Sequence, residues 1–198
     1  TQGGDTYDAW VAHEIDFDDP VVADAVGRFG EIAFGVGFVL GGSQSVVGRP
    51  FFESFQALVE GQCGMERQAD FVLELDLGSF EVGTEIGVFA LPPIDRNAAL
   101  VAPRFVTAAQ NRPETAAFLD WVVGAEGQCE MGTVAVNPYS SLHRQVGPEC
   151  FSLPSAVVAK EVLEAADPVD GIRDDGSDLM PTVIGGDGGA FLQAMLDY

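Results

Sequence analysis

Gly87-Val88-Phe89-Ala90-Leu91 is a short apolar run closed by Pro92-Pro93. A run of that length bounded by prolines reads as a strand. Beyond it, Leu100-Val101 and Phe105-Val106-Thr107-Ala108-Ala109 are further strand material. Arg112-Pro113-Glu114 then opens the clearest helix of the chain, which carries Ala116, Ala117, Leu119, Trp121 and Val123 as far as Gly124. Proline in the first turn and glycine just past the end are the expected punctuation of a helix. Short strands giving way to a helix predict the α/β class.

Working outward, the N-terminal side repeats this alternation. Asp18 or Asp19 is suited to N-cap a helix with Pro20 in its first turn, and Val22, Val26, Phe29 and Ala33 then recur at helical spacing, ending near Gly35 or Gly37. Phe51 to Glu60 is a second helix with Phe52, Phe55 and Leu58 or Val59 on one face, stopped by Gly61. Phe71-Val72-Leu73-Glu74-Leu75 fits a strand or a helical segment, and periodicity does not decide between them. On the C-terminal side, residues 125–150 read as irregular, with a turn at Asn137-Pro138-Tyr139-Ser140-Ser141. Ser155 is placed to N-cap a helix from Ala156 to Ala166, and Asp167 to Asp178 reads as an acidic turn region. A glycine-rich loop from Gly185 to Gly189 precedes a last helix, Ala190 to Tyr198.

Composition narrows the function. The 198 residues are 47% hydrophobic and 20% charged, a globular balance. Asp and Glu number 31 against 9 Lys and Arg, a formal charge of -22. Such a surface repels phosphate backbones and anionic lipid, so no nucleic-acid partner is expected. The sequence has no apolar stretch of the roughly 18 residues that a membrane helix needs. The start, Thr1-Gln2-Gly3-Gly4, reads as a cut end, and a signal peptide is either absent or already removed. Three cysteines leave one over. Cys129–Cys150 is the favoured pair because it would close a loop-rich stretch. Cys63 is then free and buried or joined to something beyond the chain, and a fully reduced chain remains open.

Enzyme motifs are missing. There is no G-x-S-x-G, H-E-x-x-H, Walker A or C-x-x-C pattern, and His13 and His143 stand far apart. No catalytic residue, metal site or cofactor is expected.

Several segments together resemble the C-terminal lobe of extracellular solute-binding proteins of ABC transporters, in the maltose-binding-like group of α-glucoside type. They are His13-Glu14-Ile15-Asp16-Phe17-Asp18-Asp19-Pro20, Gly61-Gln62-Cys63-Gly64-Met65-Glu66-Arg67-Gln68-Ala69-Asp70-Phe71, Phe89-Ala90-Leu91-Pro92-Pro93-Ile94, Asn111-Arg112-Pro113-Glu114-Thr115-Ala116-Ala117-Phe118-Leu119, Asp175-Gly176-Ser177-Asp178-Leu179-Met180-Pro181 and Phe191 to Tyr198. The matches run in family order across nearly the whole chain. The resemblance implies one lobe of a type II periplasmic-binding fold over residues 1–198, a mixed sheet flanked by helices, with inter-lobe crossing segments near 100–125 and the N-terminal lobe outside this chain.

It further implies a sugar or α-glucoside ligand held between two lobes, ABC permease subunits as partners, and a place outside the cytoplasmic membrane, lipid-anchored in the full-length protein. A stand-alone extracellular sensor or interaction domain derived from such a protein is the alternative. Sugars are held by hydrogen bonds to hydroxyls and by aromatic faces. The resemblance sets Glu66, Arg67 and Gln68 toward the cleft, and Asp175 and Asp178 at its mouth. Arg67 could instead form a buried ion pair, and the two aspartates could serve as turn and cap residues. Phe191 offers either a ring face to a sugar or a core anchor. Tyr7 and Trp10, close to the start, would have met the other lobe.

Overall fold

The computed structural model describes residues 2–74, 80–135, 139–169 and 171–179, together with 181, 183, 190 and 194. In chain order its elements are α1 (Gly4–Val11), α2 (Pro20–Ala33), α3 (Ser45–Gly48), α4 (Phe51–Val59), β1 (Ala99–Val101), α5 (Pro113–Val123), α6 (Ala125–Val134), α7 (Pro154–Ala165), β2 (Ile172–Asp174) and α8 (Gly176–Leu179). Short 3-10 turns occupy Asp70–Glu74 and Pro148–Cys150. The chain divides into two compact units. One takes residues from Thr1–Glu66, Ile94–Ala102 and Asp167–Tyr198, the other from Arg67–Pro93 and Pro103–Ala166.

In the first unit the N-terminus of α2 forms as its sequence dictates. The Asp19 carboxylate accepts from the Val21 amide at 2.9 Å, and Pro20, with no amide hydrogen to satisfy, fills the first position. Val22 and Ala33 of α2, Phe55 and Ala57 of α4 and Ala99 of β1 are buried. Between these helices Gly41 and Gly42 take positive φ, 84° and 76°, a pair of turns that side chains with a Cβ resist. The sheet consists of β1 and β2, which run parallel in the register Ala99↔Ile172, Leu100↔Arg173, Val101↔Asp174. Helices with this small open sheet make a mixed α/β domain, consistent with one lobe of a periplasmic-binding-like fold. Among the described residues the sheet is a parallel pair, not the mixed sheet expected.

The second unit is mostly helical. Its core gathers Val146, Cys150, Phe151 and Ala156, with Ala125, Cys129, Tyr139, Leu153 and Val157 packed around them. Cys129 and Cys150 are joined by a disulfide, and Cys63, in the other unit, is free and half-buried. Lys160 on α7 is only 2% exposed, and its ammonium donates to the carbonyls of Ser141 and His143 at 3.0 and 3.1 Å. Gln128 of α6 accepts from the hydroxyls of Tyr139 and Ser141.

Several expectations need correcting. Gly87–Leu91 and Phe105–Ala109 are not strands. Pro92, Pro93 and Pro103 remove backbone donors nearby, Phe89 and Phe105 are exposed, and among the described residues no strand pairs with either run. Asp70–Glu74 is a 3-10 turn, and Leu75 lies outside the described residues. The stretch taken as irregular contains α6. Its glycines read as loop signals but are contact residues: a Cβ on Gly132 would sit 2.6 Å from the Cys150 carbonyl oxygen and from the Phe151 ring. Ser155 is not a cap. Leu153 holds that position, because the residue before proline avoids helical backbone and Pro154 suits the first turn. The acidic turn region 167–178 holds β2 and α8. The Gly185–Gly189 loop and the turn residues Asn137 and Pro138 lie outside the described residues, as does the last helix apart from positions 190 and 194.

Candidate functional site: an aromatic groove in the first unit

Tyr7 and Trp10 stand three apart on α1, so one face of the helix carries both rings. Their centroids are 6.1 Å apart, and Trp10 is 6.5 Å from Phe17, which precedes α2. These rings form one wall of a cavity of about 460 Å³ within the first unit. Val22 and Phe29 of α2 and Leu100 of β1 continue the apolar lining, while Thr6, Asn97, Arg96 and Arg173 bring polar groups to it. The volume is that of a small-molecule site, for which about 300–1,000 Å³ is usual.

The polar groups are held by specific contacts. The Tyr7 hydroxyl donates to the Asp174 carbonyl oxygen at 2.9 Å. Gly176 leaves it room, since a Cβ there would come within 2.7 Å of that hydroxyl. Burial, chiefly, and then the charges of Asp175, Asp174 and Asp8 push the Tyr7 phenol up from its ordinary value. The Arg173 guanidinium meets the Asp8 carboxylate at 2.7 Å, and the Gln2 amide donates to Asp24 at 2.6 Å.

Of the sugar contacts expected from sequence, Asp175 is the one whose charge acts on a groove residue, Tyr7. It follows β2 and donates its amide to the Val101 carbonyl at 2.9 Å. Asp178 lies on α8, exposed, its amide bonded to the Asp175 carbonyl at 3.1 Å. Glu66, Arg67 and Gln68 are not among the groove residues. Glu66 is half-buried, and its Oε2 has no hydrogen-bond partner among the described residues. Desolvation raises its carboxyl above the ordinary value of 4.5. Arg67 is exposed, so it does not form the buried ion pair weighed as its other role. The Gln68 side-chain oxygen accepts from the Ala69 amide at 2.9 Å. Phe191 lies outside the described residues. The sequence signal for the groove was the spacing of Tyr7 and Trp10 with Phe17 after them, three aromatics in an acidic frame. Among the described residues no group of three or more His, Cys, Asp or Glu side chains could hold a metal ion.

The first unit thus carries a groove of ligand size on a small α/β frame, and the comparisons bear on its class. No family model matches the chain, and no solved structure matches it. It is similar to the osmoprotective compounds-binding protein of a Synechocystis strain, with 29% identity over 200 residues, covering 98% of this chain and 45% of that protein. It is also similar to the alpha-glucosides-binding periplasmic protein of Rhizobium meliloti, with 31% identity over 207 residues, 100% of this chain and 43% of that protein. The chain therefore spans less than half the length of these curated relatives. The likeness is distant and reaches the level of a shared superfamily of periplasmic solute-binding proteins, with a general resemblance to those that serve ABC sugar importers. It speaks for a binding role over a catalytic one.

Proposed function

We propose that the chain is the C-terminal lobe of an extracytoplasmic solute-binding protein, which takes a sugar between two lobes and delivers it to an ABC permease. An α-glucoside is the first candidate ligand. In this reading an N-terminal lobe belongs to the same protein and supplies the other half of the contacts, Glu66, Arg67, Gln68, Asp175, Asp178 and Phe191 contact the sugar, and a lipid anchor holds the whole at the outer face of the cytoplasmic membrane. The observation that carries it is coverage. Both relatives are matched along essentially the entire chain, while the chain accounts for 45% and 43% of them. Closure of two lobes around a solute is a recurring hinge device.

Calorimetry with maltose, trehalose and sucrose tests the reading, on the 198-residue chain and on a two-lobed protein in which an N-terminal lobe is restored. The two-lobed form should bind one of them at micromolar Kd and the single lobe at least a hundredfold more weakly. Micromolar binding by the single lobe, or none by the two-lobed form, would refute it.

A further inference from the structure

We infer that the fold is governed by ionic strength. Its helices hold in concentrated salt and loosen in dilute buffer, so an atmosphere of small monovalent cations belongs to the working state of the protein. The inference is independent of the solute-binding reading above, since it concerns the charge pattern of the surface and not the groove or the cleft residues.

The few cations are committed locally. Nine Lys and Arg face 31 Asp and Glu, so a one-to-one pairing would still leave 22 carboxylates over. Lys160, the single lysine, is 2% exposed and directs its ammonium hydrogens to the carbonyls of Ser141 and His143. Arg28 lies between Asp24 at 3.0 Å and Asp95 at 3.6 Å, and Arg173 lies against Asp8 at 2.7 Å. All three aspartates keep about half of their side-chain surface in water, where such pairs contribute little. A net charge this far from zero pushes the compact state apart.

The helix ends add a second charge conflict. The C-terminal end of a helix carries partial negative charge, which Lys or Arg steadies and Asp or Glu opposes. None of α1, α2, α4, α5, α6 and α7 has a basic residue in its last turn. Three carry an exposed carboxylate there instead, Glu31 in α2, Asp120 in α5 and Glu164 in α7, and an exposed Glu60 caps the end of α4. Lys160 approaches Glu164 no nearer than 3.9 Å. Both repulsions act through solvent, over distances that dissolved ions shorten: the Debye length is about 10 Å at 0.1 M and about 3 Å at 1 M. Added salt therefore relieves the self-repulsion and the helix-end conflict together, while the buried bonds of Lys160 are screened far less.

Thermal unfolding of the 198-residue chain at pH 7, followed by far-UV circular dichroism, tests this in NaCl at about 20 mM and about 1 M, which span the screening range. The midpoint should rise by about 10 °C or more between the two, several times the shift that one lost interaction gives a chain of this size. Sucrose at matched osmolality strengthens burial by exclusion and screens nothing, so it should give less than about half of that rise. Glu31→Gln, Asp120→Asn and Glu164→Gln, combined in one variant, neutralise three exposed helix ends. They should raise the low-salt midpoint by about 5 °C and shrink the salt response by about a third. Glu53→Gln, Glu114→Gln and Glu126→Gln remove the same net charge from first turns, where a carboxylate is favourable, and should help less. A salt response under about 2 °C, a sucrose effect equal to that of salt, a helix-end variant that keeps the full response, an equal gain from the first-turn variant, or no cooperative transition in the higher salt would overturn the inference.

Discussion

Cutting the Cys129–Cys150 disulfide tests how the second unit is held together. The bond joins α6 to the turn before α7 across a sequence separation of 21, and Cys150 belongs to the buried cluster with Val146 and Phe151. Closing a loop of that length removes about 3 kcal/mol of unfolded-chain entropy. Replacing both cysteines with alanine forfeits this, and leaves the 139–143 segment held by the hydrogen bonds of Lys160 and Gln128 and by the packing of Tyr139. Trp10→Phe makes Trp121 on α5 the sole tryptophan, so its emission reports this unit. With an m-value of about 1.5 kcal/mol/M, the urea midpoint should fall by roughly 2 M. Reduction of the unsubstituted disulfide should reproduce most of that fall. A shift under about 0.5 M would show that the unfolded chain is already restricted there, and the entropic argument would not stand.

Lys160→Met should cost about 3 kcal/mol in thermal or urea unfolding, because two buried carbonyls lose their donor; the Glu164 contact at 3.9 Å adds little, since Glu164 is 45% exposed. A loss below about 1 kcal/mol would mean that water takes over the donor role. Gly132→Ala should destabilise by about 2 kcal/mol or more, since its Cβ meets the Cys150 carbonyl at 2.6 Å, whereas an isolated helical glycine gains from alanine; a urea titration distinguishes the two signs. Glu66 has a carboxyl raised by desolvation, so the folded state holds its proton more tightly than the unfolded. Its contribution is fully present below the ordinary value near 4.5 and is lost as pH rises through the raised value. Glu66→Gln should therefore flatten the fall in urea midpoint as pH rises above the ordinary value near 4.5, and an unchanged slope would place the titration elsewhere.

What the sequence made legible were features governed by short range. The Asp19 cap with Pro20, the Phe51 helix and the Pro113 helix ending at Gly124 follow from backbone chemistry within a few positions. Helix α6 was hidden because Gly127 and Gly132 carry low intrinsic helix propensity, and their use as close-approach positions against Trp121 and Phe151 depends on tertiary neighbours. The apolar runs ending at Leu91 and Ala109 resembled strands in composition, but a strand needs a partner, and a window of sequence does not contain one. The groove was half legible: Tyr7 and Trp10 stand out in sequence as partners for another surface, but Asn97, Arg96 and Arg173 come from distant positions that only the β1–β2 pairing brings to it.

The pairing of position 99 with position 172 sets an order of events during synthesis. Every residue of the second unit precedes Asp167, so that unit is complete on the ribosome before β2 has been made. At about 5–20 residues per second, β1 waits roughly 4–15 s for its mate. Throughout that interval the backbone edge of β1 is unpaired in a nascent chain. The delay makes the first unit, not the disulfide-bearing one, the natural client of a holding chaperone, and a ribosome arrested before residue 172 should display it in that state.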